Sequence, residues 1–211
     1  GLYSVTEGLI RERQAAPKGG EELISRLLDA RDEDGKAMTV EQLRDEALTM
    51  ILAGHETTAL ALTFAAWLLA QHPAVQASLH DEVSAVLGGA APTAEDVERL
   101  PLTVAVFREV LRLYPPAWII GREVIAEPER TGPLTLKSID KALPVGTQVI
   151  MAQWVTHRDA RWWPEPHVFR PERWLTPDPN RPRFAYFPFG GGPRVCIGNH
   201  FAEVEGVLAL A

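Results

Sequence analysis

Apolar residues recur at helical spacing over the first half of the chain, and that period is lost after Pro115-Pro116. Leu2 to Gln14 and Glu21 to Arg31 read as short amphipathic helices, with Pro17-Lys18-Gly19-Gly20 as the break between them. The polar run Asp32-Glu33-Asp34-Gly35-Lys36 leads to Thr39, which with Gln42 makes a capping box, a reciprocal pairing of side chains and amides that opens a helix. That helix is predicted to reach about Gln71, where His72-Pro73 ends it. Another covers Ala74 to Leu87 and stops at Gly88-Gly89, and Thr93 with Asp96 caps a short one. Pro101 opens the next, which runs to Tyr114 because Pro115-Pro116 forbids continuation.

Beyond Pro116 the pattern predicts short strands over Trp118 to Ile125, Leu134 to Ile139 and Thr147 to Val155, with Leu143-Pro144-Val145-Gly146 as the turn before the third. Asp159 to Pro193 is rich in Pro, Trp, Phe and Arg and has no period, so it reads as a long coil pinned by large side chains. A structureless stretch of that length inside a compact domain implies a task. Helical spacing returns from Phe201 to Ala211. The expected fold class is mainly α with small β-sheets, in one domain over 1–211. A helical part fills 1–114, a small β region 115–158, and a coil, a glycine-rich loop and the start of a helix 159–211.

At 211 residues and 46% hydrophobic, the chain can bury a sizeable core. Its net charge of -7 argues against a nucleic-acid binder or an anionic-membrane binder, both of which need concentrated basic surface. With one cysteine there is no intrachain disulfide and the default setting is intracellular, so the thiol has to be explained by chemistry or by burial. Residue 1 is Gly with no leader after it, and the last helical pattern runs to Ala211 without a cap, so both ends read as cut. Ala47 to Leu69 is long and apolar enough for a bilayer span. Its middle holds His55, Glu56, Thr57 and Thr58, and an ionisable residue at a bilayer centre costs about 2.5 to 3.5 kcal/mol. A central helix running through the core of a soluble protein is the preferred reading, with no membrane segment in this chain.

The strongest chemical signal is Phe189-Gly190-Gly191-Gly192-Pro193-Arg194-Val195-Cys196-Ile197-Gly198, followed directly by a helix. A lone cysteine is usually a small buried hydrophobe, and glycine runs also cradle phosphates, but no Gly-Lys-Ser/Thr follows here. The segment fits F-x-x-G-x-R-x-C-x-G at every fixed position and so resembles the cysteine-ligand loop of the cytochrome P-450 family. The resemblance implies Cys196 as the axial ligand of haem iron. Glycines let backbone approach a flat macrocycle, and the mouth of a helix favours a thiolate, which donates electron density to iron as is established for this family. Phe189, Gly192 and Gly198 would line the cofactor, and Arg194 would pair with a propionate.

Two further constellations match the same family. Glu109 and Arg112 form E-x-x-R on one helical face, a pattern that is weak alone because most such pairs are surface salt bridges. Pro171-Glu172-Arg173-Trp174 resembles the family's P-E-R-F segment, and by that resemblance Glu109, Arg112 and Arg173 lock the coil to the helix and support the haem loop. Ala53-Gly54-His55-Glu56-Thr57-Thr58 resembles A/G-G-x-D/E-T-T/S: Ala53 and Gly54 would let the helix lie near haem, Thr57 would hydrogen-bond the iron-bound oxygen or an ordered water, and Glu56 would help relay protons to it. The alternative for this segment is a polar notch in which Thr back-bonding bends a core helix. Arg122 falls where the family has a second propionate partner. Ala117, Trp118, Ile119 and Ile120 fall where it lines the substrate pocket, although a core strand would be equally apolar. His157 is a familiar family position and is read as a hydrogen-bonded structural histidine.

The resemblance covers about Glu7 to Ala211 and implies the C-terminal, haem-binding half of a bacterial-type cytochrome P-450 fold, truncated at both ends, with a cytoplasmic location. It departs from the family at Thr135 to Lys141, where a Gly-Tyr-type turn is usual, which leaves that hairpin open. The implied activity is haem-dependent monooxygenation. The cofactor is haem b (iron protoporphyrin IX) and dioxygen is the co-substrate. Electrons come from NAD(P)H through a ferredoxin or flavoprotein reductase, separate or fused, since no flavin or dinucleotide fingerprint is present. The substrate is a small lipophile, a fatty-acyl chain being one example. The competing readings are a haem-binding sensor or carrier, an inactive fragment, and a hydrolase using Cys196 as nucleophile with His200 or His157.

Overall fold

A computed structural model describes residues 1–16, 19–126, 133–136 and 140–211. These form two compact units, Gly1–Thr57 and Thr58–Ala211.

The first unit holds α1 (Leu2–Ala15), α2 (Leu23–Asp29) and the start of α3 (Val40–Gln71). Ile10, Leu43, Ala47 and Leu48 are its buried apolar residues. Arg44 of α3 reaches Glu7 of α1 (3.3 Å), and Arg13 pairs with Glu22 at the mouth of α2 (2.5 Å). The helix predicted over Glu21 to Arg31 is shorter than expected because Arg31 leaves it to bridge Ala37. The turn between them is closed by Asp32 Oδ1, which accepts the amides of Asp34 (3.1 Å) and Lys36 (2.8 Å). The predicted capping box is present: the Gln42 amide donates to Thr39 Oγ1 (3.2 Å) and the Thr39 amide to Gln42 Oε1 (2.9 Å), so α3 starts where its local chemistry says.

The second unit continues with α4 (Pro73–Leu87), a 3-10 turn over Ala94–Arg99, and α5 (Pro101–Leu113). Gly88 ends α4 in the left-handed region (φ 57°). α5 is the buried helix of this unit. Its Val106, Val110 and Leu113 share one apolar cluster with Ala65, Leu68, Leu79 and Phe169, while Phe107 and Leu111 share a second with Ala61, Leu100 and Val207. Glu82 of α4 caps it from the side: Oε1 accepts the Leu102 amide (2.7 Å), and Oε2 accepts the Thr103 amide (2.9 Å) and hydroxyl (2.8 Å). These are first-turn amides that have no partner inside the helix.

Four short strands follow. β1 (Ile120–Glu123) pairs antiparallel with β4 (Gln148–Met151), Ile120 opposite Met151, and β2 (Leu134–Leu136) pairs antiparallel with β3 (Lys141–Leu143), Leu134 opposite Leu143. β3 covers Lys141 and Ala142, for which no strand is predicted, and Leu143, read as the start of the turn, while the predicted end of the second strand at Lys137, Ser138 and Ile139 lies outside the described residues. The third predicted strand stops at Met151. The chain turns into α6 (Gln153–Thr156), whose start is fixed by the Ala152 carbonyl accepting the amides of Val155 (3.2 Å) and Thr156 (3.0 Å).

From Asp159 to Pro193 the chain is irregular, with 3-10 turns over Pro171–Trp174 and Arg183–Ala185. Trp163 anchors it: fully buried, it donates from Nε1 to the Ala185 carbonyl (3.2 Å) and meets the rings of Trp174 and Tyr186. α7 (Asn199–Leu210) lies against α5, and a side chain at Gly206 would run into the Phe107 ring.

α3 does not have the fully enclosed character expected of it. Ile51, Leu52 (58% exposed), Leu60 and Trp67 face outward, because a helix that is apolar on nearly every side has more faces than these neighbours cover. Among the described residues it is the one helix long and apolar enough to cross a membrane, and 22% of its most apolar window is buried.

Candidate functional site

Two side chains that helical spacing puts on one face of α5 are completely buried. Arg112 spends all its N–H groups. Nε and Nη2 hold the two oxygens of Glu109 (2.8 Å each), Nη1 donates to the carbonyls of His157 (2.8 Å) and Pro166 (2.7 Å), and Nη2 also reaches that of Val168 (3.1 Å). Glu109 in turn collects donors from the coil: the Arg170 amide (3.0 Å), Arg173 Nε (3.0 Å) and Trp174 Nε1 (2.9 Å). A buried charge pair repays its desolvation only when the remaining donors and lone pairs are satisfied, as they are here. Burial alone raises the Glu109 carboxyl pKa. The Arg112 hydrogen bonds and charge, the Arg170 amide and the Arg173 charge outweigh it and hold the group below the ordinary 4.5.

The structure thus brings Glu109, Arg112 and Arg173 together, and adds partners that reading the sequence missed. Trp174 stands where the family motif has Phe, and its indole N–H makes a bond to Glu109 that a phenyl ring cannot. A tryptophan in that motif was the available signal. His157 was assigned no chemistry. It is fully buried, and its Nε2 accepts the Phe187 amide (2.9 Å). Nδ1 meets no acceptor in hydrogen-bond geometry, although the Leu111 and Arg112 carbonyls lie near enough to favour its protonation. Burial outweighs them and, with the Arg112 and Arg158 charges, lowers the imidazole pKa to about 4, so the ring is neutral near pH 7.

The glycine-rich loop is a tight, self-bonded turn. Gly190 (φ 75°) and Gly192 (φ 72°) take conformations that side chains disfavour, the Gly190 amide donates to the Phe187 carbonyl (2.9 Å), and the Cys196 amide donates to that of Phe189 (2.9 Å). Cys196 is exposed just before α7, beside Ile197 (87% exposed), Phe201 (70% exposed) and Val195. A side chain at Gly198 would touch its sulfur, and one at Gly190 would touch Ile120 of β1. Phe189 is half-buried against the second apolar cluster. Arg194 and Arg122 are both exposed and form no ion pair among the described residues; Arg122 Nη1 donates to the Gly121 carbonyl (2.8 Å). Ala117, Trp118 (56% exposed) and Ile119 lie open to solvent just before β1, which begins with half-buried Ile120. No hydrogen bond joins the Cys196 sulfur to His157 or His200, and the Nε2 of His157 is already engaged.

In the first unit, Ala53, Gly54, Glu56 and Thr57 are exposed on α3. A side chain added at Gly54 would meet open space, and Thr57 Oγ1 donates back to the Ala53 carbonyl (2.7 Å).

These residues fit a haem better than a metal held by protein alone. Among the described residues, no three His, Cys, Asp or Glu side chains converge as a metal site would need. A macrocycle that brings its own four nitrogens asks for one thiolate, glycines for close approach, an apolar face and cations for its carboxylates.

The comparisons agree. The family model for Cytochrome P450 matches residues 3–211. Cyclooctatin synthase of Streptomyces melanosporofaciens is 41% identical over 216 residues, covering 100% of this chain and 45% of that protein. Pentalenene oxygenase of Streptomyces avermitilis is 37% identical over 215 residues (100% and 45%), and cyclooctat-9-en-7-ol 5-monooxygenase of Streptomyces melanosporofaciens is 36% identical over 212 (100% and 44%). The chain therefore spans a little under half the length of these relatives. On its fold, its buried glutamate-arginine pair and a match that runs over nearly every residue, the chain belongs to the cytochrome P450 family.

Proposed function

We propose that this chain is the haem-binding part of a monooxygenase in which Cys196 is the axial ligand of the iron. The observation that carries the reading is the exposed sulfur of Cys196 at the end of a loop bonded to itself, in a segment where Val195, Ile197 and Phe201 are also exposed. Bound haem supplies the reduction of dioxygen and the insertion of one oxygen atom into a C–H bond, with electrons drawn from NAD(P)H through a reductase. The chain's own residues do the rest. The loop would hold the sulfur as a thiolate just before α7, whose N-terminal dipole end favours negative charge. Arg194 and Arg122, free of ion pairs among the described residues, bind the propionates. Phe189, Gly192 and Gly198 would line the haem, and Ala53 and Gly54, exposed on α3, would leave room for it. Thr57 Oγ1 spends its proton on the Ala53 carbonyl, which leaves the hydroxyl oxygen free to accept a hydrogen bond and so to orient an ordered water, and Glu56 helps relay protons. Glu109, Arg112 and Arg173 keep the coil, and so the loop, in place. Ala117, Trp118, Ile119 and Ile120 present an apolar surface to a lipophilic substrate. Oxygen insertion is also what the names pentalenene oxygenase and cyclooctat-9-en-7-ol 5-monooxygenase state for two relatives.

The ferrous carbon-monoxide spectrum of the full-length protein tests this reading. A red-shifted Soret band of the thiolate type is expected in the wild type and is lost in Cys196→Ala. An ordinary band in the wild type, or an unchanged one in the variant, refutes the assignment.

A further inference from the structure

His157 hydrogen-bonds both to the buried ion-pair network and to the segment entering the cysteine loop. Its carbonyl takes a hydrogen bond from Arg112 Nη1 (2.8 Å), and its ring Nε2 accepts the amide of Phe187 (2.9 Å). From Phe187 the connections run straight into the loop: its carbonyl takes the Gly190 amide, and the carbonyl of Phe189 takes that of Cys196 (2.9 Å each). The imidazole packs against the rings of Tyr186 (5.2 Å) and Phe187 (5.4 Å), contacts that favour this acceptor position. The backbone of His157 is fixed as well, its amide donating to the Gln153 carbonyl (2.8 Å).

We propose that His157 is a positioning residue: through its Nε2 bond to the Phe187 amide it ties the loop that carries Cys196 to the Glu109–Arg112 network. The proposal rests on the haem-thiolate reading above and adds a residue to it. The required property is an acceptor at this atom. A charged imidazole would carry a second N–H where the Phe187 amide points, and the surroundings that keep the ring neutral, burial together with Arg112 and Arg158, preserve the acceptor.

The test compares two variants of the full-length haem-loaded protein. His157→Phe keeps the ring volume and removes the acceptor. His157→Gln places an amide oxygen where Nε2 stands. Leaving one buried amide unpaired should speed haem release to a haem-scavenging globin roughly tenfold in His157→Phe, with a matching rise in the thiol-type band of the ferrous carbon-monoxide spectrum. His157→Gln should stay within about twofold of wild type in both measurements. Equal release rates and spectra for His157→Phe and wild type would overturn the proposal, as would a glutamine variant as impaired as the phenylalanine one. If His157→Phe does not accumulate, nitrogen NMR of the wild type decides: an unprotonated Nε2 with a slowly exchanging Phe187 amide supports the tie, and a protonated Nε2 overturns it. A wild type that lacks the thiolate band would defeat the underlying haem-thiolate reading, whereas a normal wild type with an unaffected His157→Phe defeats this proposal alone.

Discussion

Acid acts on two buried titratable groups of the second unit, His157 and Glu109, in the same direction. The unfolded imidazole of His157 takes a proton near 6.5, the folded one near 4, so between these values the unfolded chain binds more protons and stability falls as pH falls. At roughly 1.4 kcal/mol per pH unit, the window is worth about 3 kcal/mol. Glu109, depressed below 4.5, stabilises the fold above its unfolded pKa, and that contribution is lost as pH drops through the folded value. Urea midpoints should therefore decline from pH 6.5 to 4, and loss of the Glu109 contribution should carry the decline on below the ordinary carboxyl value. His157→Gln should flatten the upper window, and a wild type with a constant midpoint there would contradict the assignment. Replacing Glu109 by Gln keeps its size and leaves the charges of Arg112 and Arg173 uncompensated, at an expected loss of about 3 to 5 kcal/mol in the same denaturation assay. The pairing of Glu109 with Arg112 was legible from helical spacing. The Trp174 bond was not, because it depends on a fold that returns the coil to α5.

Elements were legible where neighbours within a few residues decide them. The capping boxes at Thr39 and Thr93, the stop of α4 at Gly88 and the start of α5 at Pro101 are all settled locally, and all follow from the sequence pattern. The shortened α2, β3 and the switch from β4 to α6 were not, since each depends on where a carbonyl or a pairing strand lies in space. Glu82 shows the same limit: its targets in α5 lie far along the chain, and nothing in either segment announces them. Because it accepts two first-turn amides and a buried hydroxyl, Glu82→Ala should cost about 1 to 3 kcal/mol of stability, measured by thermal or urea unfolding. Glu98→Ala, on the exposed 3-10 turn nearby, should cost less than about 0.5 kcal/mol and serves as the control.

On the scale of the molecule, the mainly helical class with small antiparallel sheets follows from the loss of helical period after Pro116. The outward-facing apolar residues of α3 do not follow from it. Its pattern records how many faces could be covered, whereas the structure shows how many are covered by a chain that spans 45% of a relative such as cyclooctatin synthase. Within the proposed mechanism the middle of that helix handles protons, so Thr57→Ala in the full-length enzyme should still consume reductant while product per reductant falls by about tenfold or more, the balance appearing as peroxide. Unchanged coupling would remove Thr57 from the mechanism. The coil after α6 has a different kind of consequence. It is fastened at separate points, Trp163 to Ala185 and the Arg170–Trp174 stretch to Glu109, with exposed residues Thr176 to Asn180 spanning the gap between fasteners. Chain added in that gap disturbs no fastener and pays only closure entropy, about 0.6 kcal/mol for each doubling of its length. An insertion of glycine and serine between Thr176 and Pro177 should therefore leave folding nearly unaffected, while the same insertion between Val168 and Phe169 should abolish it. Length variation among such chains is free to collect at the first position and barred from the second.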